Sequence, residues 1–300
     1  MKYIFTSILS LFTLFIVAQS TNQNIKTELP LQTNKKIKSI SEIKDANLQS
    51  ILEKKINANK TWRRLVKKKK MSIGIVDLSD TSNFRYAGIN DNFMMYAASL
   101  PKIAILLASV DALEKKELEY TDDVKNDMRI MISKSNNSAA TRMIDRLGFE
   151  KIENVLRDPK NKLYDEKTGG GLWVGKRYAA QGRRYPEPMK GISHAATTRQ
   201  VCNFYYQMAL GNLVNRERSK QMLDIMIKPE LHHKLVNTLD KIAPDADVYR
   251  KSGSWRNFHS DSALVWGPNR KYIIVVLLQD DFGEQIIRNI VKPIEKVLNI

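Results

Sequence analysis

The hydrophobic period of the chain switches twice, and the order of those switches constrains the fold more than any other feature. Met71 to Leu78 alternates apolar and polar positions like a strand, and Phe84 to Gly88 reads as its hairpin partner across a polar turn. Val248 to Ser254, Ser262 to Trp266 and Tyr272 to Gln279 read as three further strands, with a turn at Gly267-Pro268-Asn269. Between these two regions the apolar spacing is helical. Helices are expected directly after Ser99, over 122–147, 151–157, 198–210 and 214–227, with a shorter one over 229–239. An amphipathic helix over 44–66 (Leu48, Ile51, Leu52, Ile56, Trp62) and a final one from Gly283 flank the whole. Strands at both ends with helices between them imply an α/β lobe assembled from both termini, about 44–92 and 240–300. A helical lobe, about 93–239, is inserted into it.

Nothing but its core can hold this fold together. The chain of 300 residues has a single cysteine, Cys202, in an apolar helical stretch, so no internal disulfide is possible. That matters because residues 1–20 read as a secretory signal peptide. Lys2 precedes an apolar run from Ile4 to Val17, and Ala18-Gln19-Ser20 offers a small-x-small exit. The run is short for a membrane span, and no cysteine lies at the exit to carry a lipid. The expectation is a secreted or periplasmic protein cleaved near Ser20, with a polar, Lys-rich tether over 21–43. The net charge is +17, and Lys67 to Lys70 form a four-lysine run. That run reads either as a solvated helix end or as a contact for an anionic wall or membrane surface. Export argues against nucleic acid as the partner.

Candidate chemistry begins at Ser99-Leu100-Pro101-Lys102, at the mouth of an apolar helix. A serine hydroxyl is a weak nucleophile until a base takes its proton. A lysine becomes such a base when burial disfavours its ammonium form. Alone, the pair reads equally well as a helix cap beside a snorkelling lysine, and Ser41-Glu42-Ile43-Lys44 repeats the spacing in a charged context. Two further motifs strengthen it. Ser135-Asn136-Asn137 interrupts an apolar helix with consecutive small polar residues, which is costly unless they face a polar site. Lys251-Ser252-Gly253 opens the last sheet, offering a cation and a hydroxyl to an anion beside a glycine that admits close approach.

Ser-x-x-Lys, Ser-x-Asn and Lys-Ser-Gly in that order resemble the motif set of class A β-lactamases and penicillin-binding proteins. Residues 132–148 are similar to the class A stretch around its Ser-Asp-Asn, and Ala196-Thr197-Thr198 to the helix start behind the family's omega loop. The resemblance spans about residues 70–300. It implies an antiparallel sheet flanked by N- and C-terminal helices with an inserted all-helical lobe. It also implies Ser99 as nucleophile, Lys102 as its proton acceptor and Ser135 as relay to the leaving nitrogen. Asn137 would bind the substrate's side-chain amide, Lys251, Ser252 and Gly253 its carboxylate side, and the N–H groups of Ser99 and Ser254 an oxyanion. No cofactor or metal is implied. Lys167-Thr168-Gly169 spells the third motif more closely, but no strand surrounds it and it follows Ser135 too soon.

Three departures bear on the activity. The Glu-x-x-Leu-Asn segment whose glutamate activates the deacylating water is not found. Glu187 lies at the corresponding place, and Glu166 is a second candidate. Ser99 and Ser135 are only 36 residues apart, shorter than class A enzymes show, which implies a more open cleft. The arginine that supports the substrate carboxylate is not evident, and Arg256 or His259 would stand in. His259 and Asp261 also read as a local pair at a turn. His232 and His233 read as helix surface, since no third metal ligand is spaced for them. The loop over 158–196, rich in Gly, Pro, aromatic and basic residues, reads as a packed lid. The expected activity is an exported serine hydrolase that opens a β-lactam amide through a Ser99 acyl-enzyme. One alternative is a penicillin-binding or D-Ala-D-Ala-peptidase-like enzyme acting on peptidoglycan peptide with poor β-lactam turnover. The other is a catalytically idle wall-binding module. A monomer is expected.

Overall fold

The computed structural model describes residues 29–31 and 37–300; the leader read over 1–20 and most of the tether read over 21–43 lie outside the described residues. The tether's end is not free of the domain. Ile40 and Ile43 are buried in the core, and the Tyr86 N–H donates to Ile43 O at 2.7 Å. The packed domain therefore begins before residue 44.

In chain order, α1 (Ala46–Asn57) and α2 (Lys60–Lys67) lead into β1 (Met71–Asp77) and β2 (Arg85–Ile89). The stretch expected as one helix over 44–66 is two, because Asn59 is extended and caps α2, its Oδ1 accepting from the N–H groups of Thr61 and Trp62 at 3.0 and 3.1 Å. Lys67 to Lys70 lie exposed at the end of α2. A short β3 (Met95–Tyr96) precedes α3 (Lys102–Glu114), α4 (Asp122–Ser133), α5 (Asn137–Leu147) and α6 (Phe149–Arg157). The 158–196 segment holds β4 (Tyr164–Asp165), β5 (Gly170–Gly171), β6 (Trp173–Val174) and β7 (His194–Ala196), so it is a strapped loop rather than a structureless one. Then come α7 (Thr198–Ala209), α8 (Arg216–Met226), α9 (Leu235–Ile242), β8 (Asp247–Trp255), β9 (Phe258–Gly267), β10 (Arg270–Gln279) and α10 (Gly283–Val297).

The main sheet has the order β2-β1-β10-β9-β8 and is antiparallel throughout. β1 pairs with β10, so the two ends of the chain close one sheet, as the strand placement required. Both faces of that sheet are covered, and β10 reads accordingly as a continuous apolar run. Ile273, Val275 and Leu277 face the helical lobe, while Tyr272, Ile274, Val276 and Leu278 face α1, α9 and α10. Leu235 and Leu239 join that second layer, so α9 belongs to the α/β lobe and the helical lobe ends before it, not at 239. Gly74 lets α7 lie against β1, because a Cβ there would sit 2.7 Å from Cys202 Sγ. In α3 every residue from Lys102 to Leu113 is buried, which makes it the axis of the helical lobe. Among the described residues no helix is long and apolar enough to cross a membrane.

Candidate active site

Ser99 does not stand on a helix. It sits in the turn before α3, which starts at Lys102, and Ala98 just ahead of it has φ 50°, a left-handed conformation that costs an alanine energy. Two neighbours hold this turn. Ser260 Oγ donates to Ala97 O at 2.8 Å, and the Tyr178 hydroxyl donates to Ala98 O at 3.2 Å. Gly253 presses its backbone on the same turn, where a Cβ would lie 2.4 Å from Ala97 O and 2.6 Å from Ser99 N. The glycine of the third motif is thus a packing requirement of β8 against the Ser99 turn.

Lys102 is one turn further on and fully buried. Its Nζ donates to Ser135 O at 2.7 Å and to Asn137 Oδ1 at 2.8 Å, with Ser135 Oγ at 3.5 Å. The Tyr178 ring covers it at 4.4 Å. Burial lowers the Lys102 amine to about 7. A neutral amine has two N–H bonds, which the two short contacts consume, leaving its lone pair for a hydroxyl proton.

Ser135 reaches this amine because the helix expected over 122–147 breaks. α4 ends at Ser133, Ser135 takes φ 55°, and Asn136 caps α5, its Oδ1 accepting from Ala139 N at 2.8 Å. The same hydroxyl accepts from Lys251 Nζ at 2.8 Å. Lys251 is buried, its second contact is Ser252 O at 2.6 Å, and burial, then Lys102, pushes its amine well below the ordinary lysine range. Lys102, Ser135 and Lys251 therefore form one polar chain, with the Ser135 hydroxyl between two lysines.

Along β8 side chains alternate, so Lys251 faces the helical lobe and Ser252 the other side. There the structure brings up two residues that the sequence had placed elsewhere. Residues 229–234 are a loop, not the first half of a helix, and His233 Nε2 lies 3.5 Å from Ser252 Oγ. Burial lowers the His233 imidazole to about 4, so it is neutral. Lys234, at φ 56° and fully buried, donates to Gly253 O at 2.6 Å, Ser254 Oγ at 2.8 Å and Ser260 O at 3.1 Å. Burial lowers Lys234 to about 8. No local pattern marks either residue, because the loop is aimed from a distance by Arg250. That guanidinium binds Leu231 O and His233 O at 2.8 and 3.2 Å and pairs with Asp261. Asp261 is thus the partner of Arg250, not of His259. His259 packs against Gly283 at the start of α10, away from the cleft lining. Arg256 is exposed in the β8–β9 turn and lines the cleft.

The glutamates are elsewhere. Glu187 is 1% exposed, and its carboxylate accepts from the N–H groups of Met189 and Lys190 at 2.8 and 2.7 Å and from the Tyr164 hydroxyl. It holds a turn of the loop and does not line the cleft. Glu166 pairs with Arg157 at 2.8 Å on the short turn that also carries Lys167-Thr168-Gly169. Among the described residues no Asp or Glu lines the cleft. The loop supplies Tyr178 and His194 instead, their rings stacked at 4.2 Å. Burial lowers His194 to about 3 and raises the Tyr178 phenol well above its usual value, so both are uncharged. A Glu187→Gln variant is expected to lose about 1–2 kcal/mol of stability and to leave the release rate of any acyl-enzyme unchanged. Thermal melting and time-resolved intact-mass measurements check this, and a trapped adduct would return Glu187 to the mechanism. Among the described residues no group of three His, Cys, Asp or Glu side chains is placed to hold a metal ion.

Comparison with known proteins bears on the family and the fold. The family described as "Beta-lactamase enzyme family" matches residues 52–130 and 123–298. No curated protein matches. Among solved structures, a β-lactamase from Sphaerobacter thermophilus superposes with TM-score 0.64 at 16% identity, covering 83% of this chain and 97% of its own. A β-lactamase from Xanthomonas campestris gives TM-score 0.65 at 14% identity, covering 85% and 100%. A protein named PBP-A gives 0.62 at 17% identity, covering 85% and 97%. At these identities the likeness shows the fold.

Proposed function

The chain belongs to the beta-lactamase enzyme family, and on that premise we propose that it is an exported serine hydrolase that opens a β-lactam or peptidoglycan-type amide through a Ser99 acyl-enzyme and releases it slowly. The observation that carries this reading is the buried chain Lys102–Ser135–Lys251 beside the Ser99 turn. Neutral Lys102 takes the Ser99 proton as the hydroxyl attacks the carbonyl. The Ser99 and Ser254 N–H groups stabilise the oxyanion, a contribution of about 3 kcal/mol per donor. Ser135 passes a proton to the leaving nitrogen, and Lys251 fixes the hydroxyl that does so. Asn137 spends its Oδ1 on Lys102 and keeps its amide N–H groups for an acyl-amide carbonyl. Ser252 follows Lys251 on β8, and Lys234 donates to Ser254 Oγ two residues on, so this stretch of β8 offers a cationic end to a substrate carboxylate.

Slow release is supported by the cleft lining. Hydrolysis of the acyl-enzyme needs a base for water, and no carboxylate lines the cleft among the described residues. Intact-protein mass spectrometry after mixing with benzylpenicillin tests the reading. An adduct that forms and persists for minutes is expected. One that vanishes within seconds would replace slow release with β-lactamase turnover, and absence of any adduct would overturn the acylation reading. The same experiment checks the base. Adduct formation should rise about tenfold between pH 6 and 8, because the active neutral Lys102 appears as pH passes about 7. A flat profile would remove Lys102 from that role.

A further inference from the structure

The cleft extends beyond the catalytic groups. A volume of about 740 Å³ opens from Ser99 between residues 176–180 and the β8–β9 turn, on the side away from Lys251 and Ser252, which lie outside its lining. Two features of this space are unusual together. Its charged lining is wholly cationic: Lys176, Arg177 and Arg256. Arg177 is neutralised by Asp145 at 2.6 Å. Lys176 finds only a carbonyl, Ala180 O at 3.0 Å, and Arg256 lies over the Trp255 ring at 6.0 Å, so neither has a counter-charge among the described residues. The rim is also aromatic. Trp255 is 56% exposed, and Tyr96 and Phe258 meet edge to face at 5.4 Å behind it. A large indole left open at a cleft mouth is surface for a ligand ring. Two unpaired cations on facing walls raise the potential between them and favour an anion there.

Resting on the acylation reading above, we infer that this part of the cleft selects acyl groups carrying an aromatic ring with an acidic substituent near it. Lys176 and Arg256 are the specificity residues and Trp255 the ring platform. The acidic group is distinct from the carboxylate met by Ser252 at the other end. Neutral His194 and Tyr178 form the floor and add no charge of their own.

Three penicillins that share a phenylacetyl side chain test this within one protein. They are α-carboxybenzylpenicillin, benzylpenicillin and α-aminobenzylpenicillin, with acylation rates read by intact mass at low salt. The expected order is carboxy, then unsubstituted, then amino, with about a fivefold step on each side. The steps should shrink in 1 M salt, where the Debye length falls to about 3 Å. The carboxy-to-amino ratio should fall toward one in a Lys176→Gln/Arg256→Gln variant. Equal rates for the three probes, or a ratio unchanged in the double variant, would overturn the inference while leaving Ser99 acylation intact. Failure of all three probes to acylate would overturn both.

Discussion

Ser99→Ala is expected to abolish the penicillin adduct and leave the fold unchanged. The Ser99 hydroxyl lines the cleft and has no hydrogen-bond partner among the described residues, so its removal orphans no buried group. A stability change within about 0.5 kcal/mol follows. The chemistry has no such reserve. Lys102 with its lone pair has no other hydroxyl in the turn to activate, and loss of a nucleophile costs on the order of 10⁴-fold or more in rate. Intact-mass measurement beside a thermal melt gives both halves of the result. An adduct that survives in a folded variant would move the nucleophile to another residue, with Ser135 the first to check.

Asp261→Ala is expected to be the most damaging change to stability. Asp261 and Arg250 have side chains 0% and 2% exposed, and they meet through two contacts of 2.7 and 2.9 Å. Asp261 also accepts from Leu235 N at 3.1 Å, at the start of α9. Removing one member of a buried pair leaves the other charged and unpaired, at a cost of about 3–5 kcal/mol. For a domain of this size the melting temperature would fall by roughly 10 °C. Arg250→Met combined with Asp261→Leu should recover part of the loss, since apolar replacement of a whole buried pair is far milder than breaking it. A single-variant loss below about 1 kcal/mol would show that solvent reaches the pair. Acylation should fall as well, because Arg250 holds the carbonyls of Leu231 and His233 and so aims Lys234 at Ser254.

The strands read over 71–78 and 272–279 were legible, ending one residue past β1 and starting two residues inside β10, because burial of one or both faces marks a strand as an alternating or a continuous apolar run. The helix breaks were less so. Asn59 and Ser135–Asn136 carry cap chemistry, yet the apolar spacing on either side of each runs on in phase and reads as one helix. Glu187 was an error of a different kind. Its position before Thr197 matched a catalytic glutamate, but a carboxylate flanked by two prolines serves equally well to hold the N–H groups of Met189 and Lys190, and only burial separates the two uses. His259 and Asp261 look like a pair in sequence and share a face of β9, but on the neighbouring strand Ser252 lies across from Asp261, and Arg250, two residues from it on the same face, reaches the carboxylate diagonally. Register decides such contacts, and register is not local.

The sequence by itself determined that strands from both ends close one sheet around a helical insert, because the hydrophobic period is a property of each segment. It also singled out Ser99, Lys102, Ser135, Asn137 and Lys251 as the candidate site, because they are reactive or polar types at positions where apolar ones would pack better. The tertiary structure alone decided what those residues touch. It placed the Ser135 hydroxyl between two buried lysines, lined the cleft with Tyr178 and His194 while leaving Glu187 outside it, and brought Lys234 under Ser254. Those are meetings between segments far apart in the chain, and their energies depend on a shared burial that no single segment possesses.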